Sequence, residues 1–304
     1  MPAHASRSAA LVNVALYVLL CLIWGSTWLV IKVGYGGLGP FNVAAIRFFL
    51  AGVVMAIITP AVGARWPRPQ VEWALVIVVA VMMFAGDYGL IYWSEQYIDS
   101  GLTAILFATL PLITIVSAHL YLPGERITPS KLTGTLLAFL GVMALFGDHA
   151  RVDAAQLWPM LAVIGAGVCA AIASVATKRH GATLHPAALN APSMLLGAAV
   201  LAAASFANGE GFALPRNAAS WGAVLYLALA GSVLAFLVYF SMLKTWSVTS
   251  LSFISVFTPA IALVLGFVFL DERPTMWTVI GAVLIVAGVA LAVTRAERLR
   301  RTAA

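Results

Sequence analysis

The chain has 304 residues, 62% of them hydrophobic and 9% charged, with 17 Lys and Arg against 11 Asp and Glu for a formal net charge of +6. Soluble domains carry about 25% charged residues, so this balance excludes a soluble globular protein and reads as an integral membrane protein. The positive charge is no nucleic-acid footprint: the basic residues sit in short loops and at the C-terminus, with no basic domain to lie along a phosphate backbone.

The apolar runs approach the 20 or so residues needed to cross a bilayer and lack the alternating pattern of an outer-membrane barrel, so the spans are helices. Arg7 precedes the first run as in a signal peptide, but the run is too long and shows no small-residue cleavage site; it is read as a retained first helix. In chain order the predicted helices are Leu11–Val33, Phe41–Ala61, Glu72–Trp93, Gly101–Tyr121 and Ser130–Phe146. The second set is Ala155–Arg179, His185–Phe206, Ala219–Leu243, Ser250–Leu270 and Thr275–Thr294. Connections are short and rich in turn residues, as at Gly36-Gly37-Leu38-Gly39-Pro40.

The two sets are copies. Gly-Glu-Arg-Ile-Thr at Gly124–Thr128 returns as Asp-Glu-Arg-Pro-Thr at Asp271–Thr275, and Gly134 and Gly141 return as Gly281 and Gly288, all 147 residues on. Pro111 and Pro259 are 148 apart, while Lys32 and Lys178, like Pro40 and Pro186, are 146 apart. Five helices per copy is an odd number, so the copies lie in the bilayer with opposite orientation, the sequence mark of alternating-access transport. The expected fold class is an all-α integral membrane protein, ten transmembrane helices in two inverted five-helix repeats, 1–147 and 148–304. With the N-terminus inside, 12 of the 17 basic residues fall in inner segments (Arg7, Arg65, Arg68, Arg126, Lys131, Lys178, Arg179, Lys244, Arg295, Arg298, Arg300 and Arg301). Lys32, Arg151, Arg216 and Arg273 fall outside, and Glu95, Asp99, Asp148, Asp153, Glu210, Asp271 and Glu272 mirror them there. That bias places both termini in the cytoplasm.

The run Trp24-Gly25-Ser26-Thr27 with Lys32, the run Tyr92–Ser100, the helix holding Pro111, the Glu125 turn with Gly134 and Gly141, and their counterparts Pro259, Glu272, Gly281 and Gly288 carry a family likeness. On them the chain resembles the drug/metabolite transporter superfamily, in its ten-helix EamA-type branch, along nearly its whole length. Within that branch it is similar to bacterial aromatic-amino-acid exporters. The resemblance implies an inner-membrane exporter of small metabolites, with the first, third, fourth, sixth, eighth and ninth helices around a central cavity. It sets the fifth and tenth away from that cavity, at a possible dimer contact. The sixth helix departs from the pattern, having Ser174 and Lys178 but no Trp-Gly-Ser.

Candidate site residues follow from chemistry within the spans. Asp87 is the only acidic residue well inside a predicted span, where a charge costs about 2.5–3.5 kcal/mol on insertion scales and needs a partner or a wet cavity. Arg47 lies at matching depth, so two readings stand: a structural Asp87–Arg47 ion pair, or a carboxylate that takes a substrate amine or a proton. Trp24 and Thr27, Tyr88 and Tyr92, and Tyr239 offer aromatic faces and polar tips suited to a ring with hydrogen-bonding edges. Trp28, Tyr92 and Trp93 read equally as interfacial belt or packing residues. Thr103 and Phe107, and Ser252 and Ser255, lie on mixed polar faces that serve substrate contact or helix packing. Pro111 and Pro259 are candidate hinges, with static kinks as the alternative. His119 reads as a satisfied interfacial histidine, and Glu125 and Glu272 as caps on neighbouring helix N-termini.

No metal site or cofactor is expected. Cys21 and Cys169 lie within apolar helices as small hydrophobes, and His4, His119, His149, His180 and His185 form no catalytic cluster. No Walker motif is present, so the chain carries no nucleotide-driven motor of its own. The expected function is secondary transport, exporting small neutral or zwitterionic metabolites, aromatic or other apolar amino acids foremost, across the bacterial inner membrane. A broad drug or toxic-metabolite exporter of the same fold is the alternative. The expected partners are the small-molecule substrate and the lipid bilayer, with no nucleic acid, in a monomer or homodimer.

Overall fold

Continuous apolar sequence leaves backbone groups no partner but their own helix, and every regular element described is helical. The computed structural model describes residues 3–68, 70–145, 154–261 and 276–302. The helices are α1 (Ala3–Tyr35), α2 (Pro40–Ala61), α3 (Gln70–Ser94), α4 (Ser100–Tyr121), α5 (Pro129–Leu145), α6 (Leu157–His180), α7 (Pro186–Ala207), α8 (Ala218–Thr245), α9 (Val248–Ile261) and α10 (Met276–Thr302). Among the described residues seven are long and apolar enough to cross a membrane, and the described apolar stretches of α5, α9 and α10 are shorter, those of α5 and α9 ending where the described residues end. From α2 to α8 the starts, and the ends of all but α5, fall within two residues of the predicted bounds; the end of α5 adjoins residues outside those described. Asp148, His149, Arg151, Asp153, Asp271, Glu272, Arg273 and the end of the predicted Ser250–Leu270 helix lie outside the described residues.

Local chemistry sets the starts. Pro40 and Pro186 stand in the first turns of their helices, where the missing N–H costs nothing. Asn217 and Ser247 cap α8 and α9 by accepting the amides of Ser220 and Ser250 at 2.8 and 3.0 Å. The turn before α2 uses positive φ at Gly36 (46°) and Gly37 (87°), which glycine alone adopts freely.

α2 lies along α7, and α5 along α10. The repeated glycines make the second pair possible. A Cβ on Gly134 would stand 2.5 Å from the Gly288 carbonyl oxygen and 2.6 Å from the Ala292 nitrogen; one on Gly141 would stand 2.7 Å from the Gly281 carbonyl oxygen. Backbone thus meets backbone, antiparallel, through residues with no side chain.

Two helices depart from α geometry at matching places. Val79–Asp87 of α3 and Leu229–Leu234 of α8 are π-helical, and their ends, Asp87 and Leu234, are 147 residues apart. A π segment shifts carbonyls out of the regular ladder and frees them for other donors. α4 and α9 are interrupted as well. α4 turns at Ala108–Thr109, and Pro111 stands in the first turn of the segment that restarts at Leu110. α9 turns at Phe253, six residues before Pro259.

Candidate functional site

The interrupted and π-distorted helices, with α1 and α6, surround a cavity lined mostly by aromatic and apolar side chains. α1 contributes Trp24, Thr27, Trp28 and Ile31; α3 contributes Met83, Asp87, Tyr88 and Ile91; α4 contributes Phe107 and Leu110. Ala170 and Ser174 of α6, Phe236 and Tyr239 of α8, and Leu251, Ser252, Ile254, Ser255 and Thr258 of α9 complete the wall. No residue of α2, α5, α7 or α10 lines it.

Of the predicted site residues, Trp24, Thr27, Asp87, Tyr88, Phe107, Tyr239, Ser252 and Ser255 come together here, while Tyr92 and Thr103 do not line the cavity. Thr103 is buried and donates to the carbonyl of Asp99 at 3.0 Å, one turn back in its own helix. Tyr92 serves Arg47 instead. Pro111 and Pro259 are buried outside the lining. Trp28, read from sequence as a belt or packing residue, is only 7% exposed and faces inward, its ring 5.8 Å from that of Phe107. Phe236 was missed. Its ring is the hub of an aromatic cluster, with centroids of Trp24 at 5.5 Å, Phe84 at 5.0 Å and Tyr88 at 6.0 Å. The signal was available, because Ser232, Phe236 and Tyr239 fall at four- and three-residue spacing on one helix face.

Of the two readings of Asp87, the direct ion pair with Arg47 is not formed. Arg47 is fully buried and donates from Nε to Ser232 Oγ (2.9 Å), from Nη1 to Tyr92 OH (3.1 Å) and from Nη2 to the Gly231 carbonyl (3.2 Å). Its guanidinium also lies over the rings of Tyr88 (4.6 Å) and Phe48 (5.0 Å), a cation–π cradle that offsets desolvation. The Gly231 carbonyl is made available by the π segment, and it also accepts Trp24 Nε1 at 3.3 Å. A Cβ at Gly231 would press on Thr27 and Arg47 at 3.2 and 3.3 Å, so glycine is what lets the guanidinium approach.

Asp87 is 3% exposed and its Oδ1 has no hydrogen-bond partner; the indole N–H of Trp28 is likewise buried and unpaired. Buried polar atoms without partners are rare in native structures. Elsewhere the wall is satisfied. Thr27, Ser252, Ser255 and Thr258 each donate to the carbonyl three residues back, at 2.7–3.1 Å, leaving lone pairs to accept. Ser174 and Tyr239 share a hydrogen bond at 2.9 Å across α6 and α8, which leaves one hydroxyl proton over. The wall therefore combines aromatic faces, hydroxyl acceptors, one unmet carboxylate oxygen and one unmet N–H.

The ends of the bundle differ. At the end bearing Arg65, Lys131 and Lys178, Glu125 accepts the Val248 amide (3.2 Å), the Thr249 hydroxyl (3.1 Å) and the Lys131 ammonium (3.2 Å), capping the start of α9 as expected. His119 meets the Glu125 carbonyl at 3.4 Å. At the opposite end Glu95, just past α3, is 4% exposed with neither carboxylate oxygen hydrogen-bonded. Burial pushes its carboxyl up to about 8, opposed by the charge of Lys32 and by the nearby Ser100 hydroxyl. Cys21 and Cys169 are free thiols. Among the described residues no group of three or more His, Cys, Asp or Glu could hold a metal ion.

The profile of the EamA-like transporter family matches twice, at residues 12–147 and 157–294. A Streptantibioticus cattleyicolor protein named "Probable terminal-alkyne amino-acid exporter" is 30% identical, over 94% of this chain and 95% of its own length. The Bacillus subtilis "Uncharacterized transporter YoaV" is 28% identical over 88% of this chain and 92% of its own. The Escherichia coli "Uncharacterized inner membrane transporter YedA" is 28% identical over 81% and 79%. A solved crystal structure superposes with a TM-score of 0.78 at 24% identity, covering 94% of this chain and 98% of its own, and so shares the fold. The chain belongs to the EamA-like transporter family and is a multi-pass membrane transporter.

Proposed function

We propose that this protein is a secondary transporter that exports zwitterionic metabolites, amino acids with aromatic or other apolar side chains, across the bacterial inner membrane by alternating access. Ten spanning helices would form the inverted repeats 1–147 and 148–304, both termini in the cytoplasm. One observation carries the substrate class: the cavity wall holds one unmet acceptor, Asp87 Oδ1, and one unmet donor, Trp28 Nε1. An ammonium on the first, a carboxylate on the second and a ring among Trp24, Tyr88, Phe107 and Phe236 would satisfy all three parts of an aromatic amino acid. The name of the S. cattleyicolor relative points the same way.

A second reading has its own support. No basic side chain is among the residues lining the cavity, so a single carboxylate among aromatic rings also suits an organic cation of the kind a drug exporter carries. Counterflow in liposomes preloaded with unlabelled tryptophan, phenylalanine, threonine or methionine tests both. Accumulation of the labelled amino acid, lost about tenfold in Trp28→Phe, supports the amino-acid reading. Accumulation of tryptamine but of no amino acid supports the cation reading and overturns the first.

A further inference from the structure

The two ends of the bundle carry the same lysine in opposite states. Lys178, at the end of α6, reaches across to the end of α8, where its ammonium donates to the carbonyls of Leu243 (2.7 Å), Lys244 (3.1 Å) and Trp246 (2.9 Å). A cation on the last carbonyls of a helix meets both their lone pairs and the negative end of the helix dipole. This basic end is further laced by the Glu125 clamp on α9 and by Tyr17, which donates to the Ser250 carbonyl at 3.2 Å. Lys32 is the repeat counterpart, 146 residues earlier. It makes no such bonds: its nearest partner is Asp99 at 3.7 Å, with side chains 38% and 97% exposed.

The place Lys32 would occupy if the ends exchanged states can be read from the repeat. Helices α4 and α9 start 148 residues apart, at Ser100 and Val248. The same offset carries the acceptors Leu243–Trp246 back to Glu95–Ile98, the end of α3. Glu95 waits there, buried, with no hydrogen-bond partner in place on either carboxylate oxygen, and the charge of Lys32 and the nearby Ser100 hydroxyl are the polar groups that act on it. An orphan carboxylate beside an unlatched lysine is the independent mark of a contact this conformation does not make.

We infer that Lys178 and Lys32 are reciprocal latches: Lys178 closes the basic end in this conformation, and Lys32 closes the opposite end in the other by entering the α3 terminus against Glu95. The inference rests on the alternating-access reading of the inverted repeats. Its test needs no substrate, so its failure would leave transport standing, while a failed counterflow assay would not decide it.

The measurement is hydrogen–deuterium exchange of the full chain in nanodiscs. Lys178→Met is expected to speed exchange about tenfold in the segment 243–250 and, reciprocally, to slow it several-fold across 95–101. Adding Lys32→Met should abolish that slowing while the basic end stays fast. Faster exchange at the basic end alone, with 95–101 unchanged, would reduce Lys178 to a local helix cap and overturn the inference. So would slowing that persists in the double variant. If Lys178→Met does not fold, Glu125→Gln releases the same end and must give the same reciprocal pattern.

Discussion

Asp87→Asn separates a binding carboxylate from a structural one, because stability and transport are expected to move independently. The substitution keeps the shape and one acceptor of a side chain that is buried near the middle of α3 and has an unpaired oxygen. Were Asp87 locked in an ion pair, removing one partner would cost about 3–5 kcal/mol of stability. Arg47 is instead satisfied by Ser232, Tyr92 and Gly231. Neutralising Asp87 therefore strands no cation and removes an ionisable group that costs about 2.5–3.5 kcal/mol at a helix centre. Thermal unfolding in detergent should show a midpoint equal to or above that of the wild type. A hydrogen bond from a substrate ammonium to a charged acceptor is worth about 1.5–3 kcal/mol. At about 2 kcal/mol the loss is roughly thirty-fold in apparent affinity, read by competition in the counterflow assay. A midpoint several degrees lower with affinity unchanged would refute this reasoning and restore the structural pair.

Named contacts set three further outcomes. Trp24→Ala should weaken an aromatic substrate by about 1–3 kcal/mol, the worth of a buried apolar side chain; unchanged competition would remove Trp24 from the binding surface. Gly134→Ala places a Cβ against the backbone of α10, which cannot yield as a side chain would, and should destabilise by about 1–3 kcal/mol. Gly222→Ala, with nothing within 4 Å of its Cβ, should be neutral or gain up to about 1 kcal/mol, and equal effects at both positions would contradict the packing argument. Glu95 rises from about 4.5 to about 8 on burial, so between those values the folded state binds the extra proton. That contribution to stability is full below about pH 4.5 and is lost as pH rises towards 8, with a slope approaching 1.4 kcal/mol per unit. Glu95→Gln should flatten this part of a stability–pH profile, and a slope that survives the change would assign it to another group.

Much of the architecture was legible in the chain. Apolar run length and the residues that stop it are local properties, and they placed the ends of α2 to α8, the end of α5 apart, within two residues. The repeated glycines were legible as a recurring motif, but not that they would bring the backbones of α5 and α10 into contact. Helical spacing grouped Trp24, Thr27, Asp87, Tyr88, Phe107, Tyr239, Ser252 and Ser255 on polar or aromatic faces, and these became cavity wall.

One of the two readings of Asp87, the ion pair with Arg47, rested on equal depth along neighbouring helices, and depth was the wrong coordinate. The π segment Val79–Asp87 changes the rotational phase of α3, since an extra residue per turn rotates the rest of the helix by about a quarter of a circle. Its counterpart in α8 supplied the carbonyl of Gly231 that Arg47 uses instead. Trp28 was left between belt and packing for a related reason: a tryptophan near a span end faces lipid or the interior according to the azimuth of its helix, which neighbouring helices fix. Membrane class and the bounds of most helices were set by the sequence alone, because hydropathy and breakers act within one segment. Which polar atom meets which, and which are left unmet at Asp87, Trp28 and Glu95, was decided only by tertiary packing, because it depends on how helices rotate against one another.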